Sequence, residues 1–204
     1  MNTAQDPRIE RILETWFGIL DASGRPNPAH IQSWWKKDPD FDETLRSTWG
    51  RSVEEALRGE LDSWATQTRG RLALILLLDQ WTRNLYRGSA GMFRGDEAAL
   101  GLAQEALAAG IDLELLPIER VFLYMPLMHS ERLEEQRQCV ALFTRLVEEA
   151  PEALRDLLRN NLDFAQQHCV IVERFGRFPH RNALLGRAST EEERLFLEQP
   201  GSSF

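Results

Sequence analysis

The sequence has little of three features that would each indicate a particular class of protein. Its only two cysteines, Cys139 and Cys169, form no Cys-x-x-Cys pair, so neither a disulfide framework nor a structural zinc site is expected. The start lacks the basic and apolar segments of a secretory signal. The longest apolar run, residues 72–78, is far shorter than the roughly 20 residues that cross a bilayer. We therefore expect a cytoplasmic protein with reduced thiols and no membrane partner.

Positive charge is also scarce. The chain has 24 Lys and Arg residues against 32 Asp and Glu residues, which gives a net charge of -8. General nucleic-acid binding needs a basic surface that neutralises phosphates, so no nucleic-acid partner is expected. A length of 204 residues, with 43% hydrophobic residues, suits one globular domain over residues 1–204.

Helical periodicity dominates the rest of the sequence. In the segment RIERILETWFGIL, apolar residues recur every three or four positions, as they do on one face of a helix. The same spacing recurs along the chain, and no segment alternates as a half-buried strand does. This pattern predicts an all-α array of antiparallel helix pairs with about eight or nine helices and short connections.

Several residues predict where helices begin or end. Asn27 and Asp38 each precede a proline, an arrangement typical of an N-cap followed by the first helical residue. Ser52 and Thr190 each have a glutamate three residues later, which predicts a capping box. Pro126 lies inside an apolar helical segment, where we expect a kink or a stop.

A polar corner follows the most apolar helix. Asp79 comes directly after seven apolar residues and is four residues from Arg83, on the same helix face. Gln80 and Asn84 have the same spacing, and Arg87 lies one turn further on. Burying a carboxylate is costly unless it is paired. The corner is therefore either a structural network at the helix end or a site where Asp79 orients Arg83 toward a ligand.

The segment FGRFPHRNALLGR, residues 175–187, forms a second polar corner. Arg181 and Asn182 repeat the Arg-Asn pair of residues 83–84, and in both corners a glycine then lies next to an arginine. If the two corners face one cavity, Arg177 and Arg187 would line it together with Arg181. Guanidinium groups suit carboxylate or phosphate. The helix that begins at Thr190 would add free N–H donors.

The histidines supply the candidates for catalysis. No His-x-x-x-His spacing is present, so we expect no metal site and assign no cofactor. His180 and His129 are the candidate catalytic residues, because a histidine near arginines can act as a general acid or base at neutral pH. A non-local cluster of His129, Glu131, His168 and His180 is a second arrangement, whereas each histidine alone is more often a structural residue.

Three segments together resemble one known family. They are LILLLDQWTRNLYRGSAGMFRGDEAAL, FLYMPLMHSE and HCVIVERFGRFPHRNALLGRASTEEERLFL, and TWFG and WWKKDPDFD also fit. The chain resembles, over nearly its whole length, the bacterial family of unknown function numbered 924. The resemblance implies an all-helical, tetratricopeptide-like fold and no established activity. The family usually has Phe-Pro-Arg-Asn where this chain has Trp81-Thr82-Arg83-Asn84, so we expect the central helix to continue further here.

These observations give three hypotheses. The first is a pocket that binds a small anionic metabolite, with catalysis by His180 or His129 as an added role. The second is a helical-repeat module that grips an acidic peptide or a C-terminal carboxylate. The third is that both corners are structural networks only. The residues proposed to bind the ligand are Asp79, Arg83, Asn84, Arg87, Glu131, Arg177, Arg181, Asn182 and Arg187.

Overall fold

The structure is a computed structural model, and it describes residues 6–202. Over this part of the chain it contains nine helices and no strand, which confirms the prediction of an all-α protein with about nine helices. The helices are α1 (Pro7–Phe17), α2 (Pro28–Trp35), α3 (Pro39–Leu57), α4 (68–85), α5 (Asp96–Ala108), α6 (Pro117–His129), α7 (Leu133–Glu149), α8 (Glu152–Phe175) and α9 (Glu191–Leu197). Short 3₁₀ turns lie at Asp62–Thr66, Ala90–Phe93, Ile111–Glu114 and Pro179–Arg181.

The predicted helix caps are mostly confirmed. The Asn27 and Asp38 side chains each accept hydrogen bonds from backbone N–H groups in the first turn of the following helix. Thr190 and Glu193 form the capping box of α9, in which each side chain bonds the backbone of the other residue. The cap predicted at Ser52 is wrong, because α3 continues through it without a break.

The continuity of α3 has a simple cause. Trp49 and Val53 are both buried and lie one turn apart, so the apolar stripe of α3 continues without interruption past Ser52. Packing along that stripe stabilises the helix more than a new N-cap would. A side-chain signal for a helix start is therefore overridden where the hydrophobic spacing is unbroken.

Pro126 does not end its helix. Helix α6 continues past it to His129, so the expected stop is wrong. Proline lacks a backbone N–H, which removes one hydrogen bond from the helix interior. The neighbouring residues 121–128 are all buried, and this packing offsets the loss.

Helix α4 lies at the centre of the molecule and carries the first polar corner. It continues through Arg83 to Leu85, as the absence of proline at position 82 predicts. Its middle section, Leu76–Trp81, is a π-helix, a rare form often found at functional sites. The π-helical turn includes Asp79, which is fully buried.

The core joins the early and late helices. Trp16 of α1 contacts Trp81 of α4, with ring centroids 6.4 Å apart, and Phe122 of α6 at 5.4 Å. Helices α6, α7 and α8 pack on one another in sequence order. In the described residues, no helix is long and apolar enough to span a bilayer.

Candidate functional site

A cavity of about 840 Å³, called the cleft below, opens between α2, α4, α6 and α8. The 3₁₀ turns Ala90–Phe93 and Pro179–Arg181 complete its walls. Its volume is in the range typical of small-molecule sites. Both polar corners therefore contribute to one cavity, although they are almost 100 residues apart in sequence.

The side chains that line the cleft differ in charge from the chain as a whole. None of its lining residues is acidic, whereas five are cationic. Those five are Lys36, Lys37, Arg83, Arg87 and Arg181. The two lysines are exposed at the rim, whereas Arg83 and Arg181 lie deep in the cleft.

The remaining walls are largely apolar. They are formed by aromatic, methionine and leucine side chains, namely Trp34, Trp35, Met92, Phe93, Met125, Met128, Phe164 and Leu184. Trp35 and Phe164 are exposed at the mouth. The cleft thus combines a cationic floor with apolar walls.

The two Arg-Asn corners meet at Asp96, in the first turn of α5. Arg83 Nη1 lies 3.1 Å from Asp96 Oδ1, and Arg181 Nη1 lies 3.4 Å from Asp96 Oδ2. Burial raises the pKa of Asp96, and Arg83 opposes that rise. The Asp96 carboxylate therefore bridges the guanidinium groups of Arg83 and Arg181. The sequence predicted that these two groups would line one cavity if the two corners converged.

Asp79 lies beneath the floor of the cleft and connects three side chains. Its Oδ1 is 2.7 Å from His129 Nδ1 and 3.3 Å from Arg83 Nη1, and its Oδ2 accepts a 2.5 Å hydrogen bond from Gln80. Burial alone would raise the pKa of Asp79, but Arg83 and His129 lower it to about 2. The carboxylate is therefore ionised at neutral pH. The predicted Asp79–Arg83 pair is present, whereas Gln80 bonds Asp79 rather than Asn84.

All three cleft histidines are neutral at neutral pH. Burial, followed by the charge of Arg83, lowers the pKa of His129. Burial is also the main reason that the pKa of His168 falls to about 3 and that of His180 to about 4. The ring centroids of His129 and His168 are 6.4 Å apart. In the described part of the chain, no group of three or more His, Cys, Asp or Glu residues is arranged to hold a metal ion.

Arg181 is a buried cation held between two aromatic rings. Its guanidinium carbon lies 4.8 Å from the ring centroid of Phe93 and 4.5 Å from that of Phe178. The side chain is only 8% exposed, and burial followed by repulsion from Arg83 lowers its pKa to about 10. Arg181 Nε and Arg83 Nη2 are buried and donate to no acceptor among the described residues.

Arg87 and Asn84 are already occupied by a protein carboxylate. Arg87 donates to both oxygens of Asp42, at 2.7 and 2.9 Å, and Asn84 donates to the same carboxylate at 2.7 Å. Both residues line the cleft, but their main hydrogen-bonding capacity is directed toward α3.

Four other predicted ligand-binding residues lie outside the cleft lining: Glu131, Arg177, Asn182 and Arg187. Together with Glu193, they form what we call the closed cluster. Arg187 donates to both oxygens of Glu131, at 2.6 and 2.8 Å, and Glu131 also accepts from the Phe178 backbone N–H at 2.8 Å. Arg177 donates to both oxygens of Glu193, at 2.6 and 2.8 Å. These contacts favour the structural hypothesis for Arg177, Arg187, Asn182 and Glu131.

Glu193 is the centre of that cluster. It also accepts from Asn182 and from the Thr190 backbone N–H, and its pKa falls to about 2, mainly because of the hydrogen bonds from Arg177. The helix N-terminus at Thr190 is therefore capped by its own residues. This helix N-terminus lies outside the cleft lining, so it adds no N–H donor to the cleft, and the backbone N–H groups of Thr190 and Glu193 are bonded within the capping box.

Sequence reasoning missed several residues in the cleft or next to it. Nothing in the sequence near Lys36, Lys37 or Asp96 predicts that they lie in or beside a cavity. Phe93 and Phe178, which enclose Arg181, carry no separate signal. The spacing of residues within a helix predicted the Asp79–Arg83 pair, but contacts between distant helices have no such spacing.

Comparisons with known proteins agree with this fold. The model of a family described as a bacterial protein of unknown function (DUF924) matches residues 12–201. The structure of a protein of unknown function, ATU0120 from Agrobacterium tumefaciens, is similar with a TM-score of 0.79 and 36% sequence identity. The match covers 94% of this chain and 97% of that one. No curated protein matches the chain. From the match over residues 12–201, the chain belongs to the bacterial family of unknown function DUF924.

Proposed function

We propose that the cleft binds a small organic anion, with Arg181 and Arg83 as its principal contacts. The observation that carries this proposal is the charge of the lining. A chain with a net charge of -8 has a cavity lined by five cations and by no carboxylate. Such a cavity attracts anions, because apolar walls weaken the screening of the charges that they enclose.

The hydrogen bonding of the two arginines supports the same proposal. Arg83 shares Asp79 and Asp96, and Arg181 has one ion pair of 3.4 Å, which is long for a buried contact. Each retains one guanidinium nitrogen, Arg83 Nη2 or Arg181 Nε, without an acceptor among the described residues. A buried donor without a partner is costly, and a bound carboxylate or phosphate would satisfy it.

The apolar walls define the rest of the ligand. Trp34, Phe93 and Met128 would contact a hydrocarbon or aromatic body, while the anionic group lies at the floor. A cavity of about 840 Å³ encloses a small molecule more readily than an extended peptide. The proposed ligand is therefore an organic anion with an apolar part, rather than an acidic peptide.

A thermal-unfolding experiment tests the proposal with four probes. 3-Phenylpropionate and phenyl phosphate carry an apolar body, and acetate and inorganic phosphate do not. We expect the first two to raise the Tm, by about 5–10 °C at a concentration of about 100 Kd. We expect acetate and inorganic phosphate to produce a much smaller shift at equal concentration.

Two variants locate the effect. Arg181→Gln should abolish the shift. It also removes the ion pair with Asp96 and the contacts with Phe93 and Phe178, so the shift is measured from the Tm of the free variant. Arg174→Gln removes the same charge from an exposed pair with Glu192 outside the cleft, and it should keep the shift. A wild-type protein that responds to none of the four probes would overturn the proposal. An equal shift in Arg181→Gln would do the same.

A further inference from the structure

We infer that the cleft is a hydrolytic site in which His129 is the general base and Asp79 is its positioning residue. The substrate class is an ester of an organic anion with an apolar part. This inference rests on the proposed anion site and adds a chemical step to it. It starts from the geometry of Asp79, Arg83 and His129 at the floor of the cleft.

The Asp79–His129 pair fixes the direction of the imidazole. Asp79 Oδ1 lies 2.7 Å from His129 Nδ1, and an ionised carboxylate can only accept, so Nδ1 carries the proton. His129 Nε2 then has a free electron pair. It has no hydrogen-bond partner among the described residues, and His129 lines the cleft. This is the arrangement of a base held in one tautomer by a buried carboxylate.

The surroundings keep that base ready at neutral pH. Burial and the nearby Arg83 lower the pKa of His129, so the ring is neutral and its Nε2 can accept a proton. Asp79 opposes that shift and would stabilise the imidazolium once it forms. His180 lines the same cleft, but His129 is the histidine that the Asp79 carboxylate is seen to orient, which makes it the stronger candidate for the base.

Water is the nucleophile that this site can supply. The lining residues include no Ser, Thr, Cys, Tyr, Asp or Glu, so the cavity wall offers no hydroxyl, thiol or carboxylate nucleophile. His129 would remove a proton from a water molecule, and the water oxygen would form a bond to the carbonyl carbon of the ester. The carbonyl π electron pair would move to its oxygen, where Arg83 stabilises the negative charge.

The intermediate then returns the proton. Its carbon–oxygen bond to the alcohol group breaks, and the leaving oxygen takes the proton from His129. One water is consumed, and the products are a carboxylic acid and an alcohol. Nothing is oxidised or reduced, and His129 returns to its neutral form.

Two arginines divide the work in this scheme. Arg83 adjoins His129, since both contact Asp79 Oδ1, and it therefore lies beside the reacting carbonyl. Arg181, between Phe93 and Phe178, anchors the permanent anionic group of the substrate. An anionic ester should therefore be preferred to a neutral ester of similar length.

The experiment compares two chromogenic esters with the full-length protein. 4-Nitrophenyl hydrogen glutarate carries a carboxylate, and 4-nitrophenyl butyrate does not. We expect the anionic ester to have a kcat/KM at least about 10-fold higher than the neutral ester. His129→Gln should lower kcat by roughly 10²–10⁴-fold, and Arg181→Gln should mainly raise KM for the anionic ester.

The pH profile of the rate distinguishes a positioning role of Asp79 from a general loss of stability. The wild-type rate should fall as the pH is lowered, with its inflection below pH 6.5, because the pKa of the His129 base is lowered by burial and by Arg83. Because Asp79 raises the pKa of His129, Asp79→Asn should move this inflection to lower pH as well as reduce kcat. A destabilised fold alone would not move the inflection in that direction. The wild-type profile needs no variant, so it remains informative if Asp79→Asn is unstable.

The outcomes distinguish the two proposals. A wild-type protein that binds 3-phenylpropionate but hydrolyses neither ester above the buffer rate would overturn the hydrolytic inference and leave the anion site intact. Unchanged hydrolysis in His129→Gln would also overturn it. A protein that binds no anion would contradict the proposed function itself. Loss of hydrolysis in His129→Gln with retained 3-phenylpropionate binding supports both.

Discussion

The cleft floor and the closed cluster are built from the same types of residue but differ in how their charges are matched. In the closed cluster, Arg177 and Arg187 each face one carboxylate through two short hydrogen bonds. On the cleft floor, Arg83 and Arg181 share Asp96, and each retains an unused N–H group among the described residues. The number of arginines in a segment is therefore a poor indicator of ligand binding. The number of protein acceptors available to each guanidinium group is a better one.

The two regions also differ in their surroundings. The closed cluster caps the N-terminus of α9. Its hydrogen bonds also hold residues 176–190 against α9 and against Glu131. The cleft floor lies under an open cavity of about 840 Å³ with apolar walls. A saturated network in a packed loop stabilises the fold, and an unsaturated network under a cavity can accept a ligand. Four experiments test this contrast.

The largest effect is expected at Gly95, which positions the cleft floor. A Cβ added there would lie 2.2 Å from the Leu78 carbonyl oxygen, a backbone atom that cannot move aside freely. We expect Gly95→Ala to separate α4 from α5, displace Asp96 and cost about 3 kcal/mol or more, measured by urea unfolding. Gly101→Ala on the same helix meets nothing within 4 Å and should instead stabilise by roughly 0.5–1 kcal/mol. Equal stabilities for the two variants would show that α4 and α5 do not pack this closely.

The second test breaks the closed cluster alone. Glu193→Gln leaves Arg177 without its buried counter-ion and places an amide NH₂ against the donors of Asn182 and Thr190. We expect a loss of about 1–3 kcal/mol from the donors left without an acceptor, with the response to 3-phenylpropionate retained. Glu192→Gln, one residue earlier in an exposed pair with Arg174, should change stability by less than about 0.5 kcal/mol. A lost ligand response in Glu193→Gln, at a temperature where it is folded, would mean that the two regions are not independent.

Much of the fold could be predicted from the sequence, because the signals that specify helices are local. The caps at Asn27, Asp38 and Thr190 needed only residues within one turn. The cap expected at Ser52 and the stop expected at Pro126 are wrong because packing from distant helices overrides a local signal. Whether a residue is buried depends on the whole folded molecule, so it cannot be determined from a single segment of sequence.

The site was predictable to a lesser degree, for the same physical reason. The i,i+4 spacing predicted the Asp79–Arg83 pair. The partner of Asn84 is Asp42, 42 residues away, and the partner of Arg181 is Asp96, 85 residues away. Such pairs depend on how helices cross, so sequence spacing alone could not separate the arginines of the cleft from those of the closed cluster.

The third test uses pH to compare the regions. In the folded protein the pKa of His168 falls to about 3 and that of His180 to about 4, below the usual 6.5. A depressed histidine pKa means that the folded state binds fewer protons than the unfolded state. The stability from these groups is thus present above pH 6.5 and is lost as pH falls toward about 4 and then 3. The pKa of Glu193 is also lowered, from its usual 4.5 to about 2. The stability that Glu193 contributes is therefore lost only as the pH falls below 4.5.

These pH ranges predict which of the two regions loses stability first as the pH falls. Between pH 6.5 and 5, the free energy of unfolding should fall by a few kcal/mol at most, because of the cleft histidines. His168→Gln should flatten that part of the curve, and Glu193→Gln should not. The groups facing His168 are His129, His180 and Arg181, and all of them oppose its protonation. A wild-type free energy of unfolding that is constant from pH 7 to 5 would contradict the burial of neutral histidines in the cleft.

The smallest effect is expected at Arg87, which lines the cleft but is bonded like a member of the closed cluster. Arg87 donates to both oxygens of Asp42 and is 32% exposed, so Arg87→Lys, which loses one of the two bonds, should cost less than about 1 kcal/mol. If saturation by protein carboxylates decides which cations bind ligand, the affinity for 3-phenylpropionate should change less than about 2-fold, measured by isothermal titration calorimetry. Arg181→Lys, which keeps the charge but loses the planar donor set between Phe93 and Phe178, should weaken binding more. Equal losses in the two variants would mean that proximity to the cavity, and not the number of acceptors per guanidinium, determines which arginines contribute.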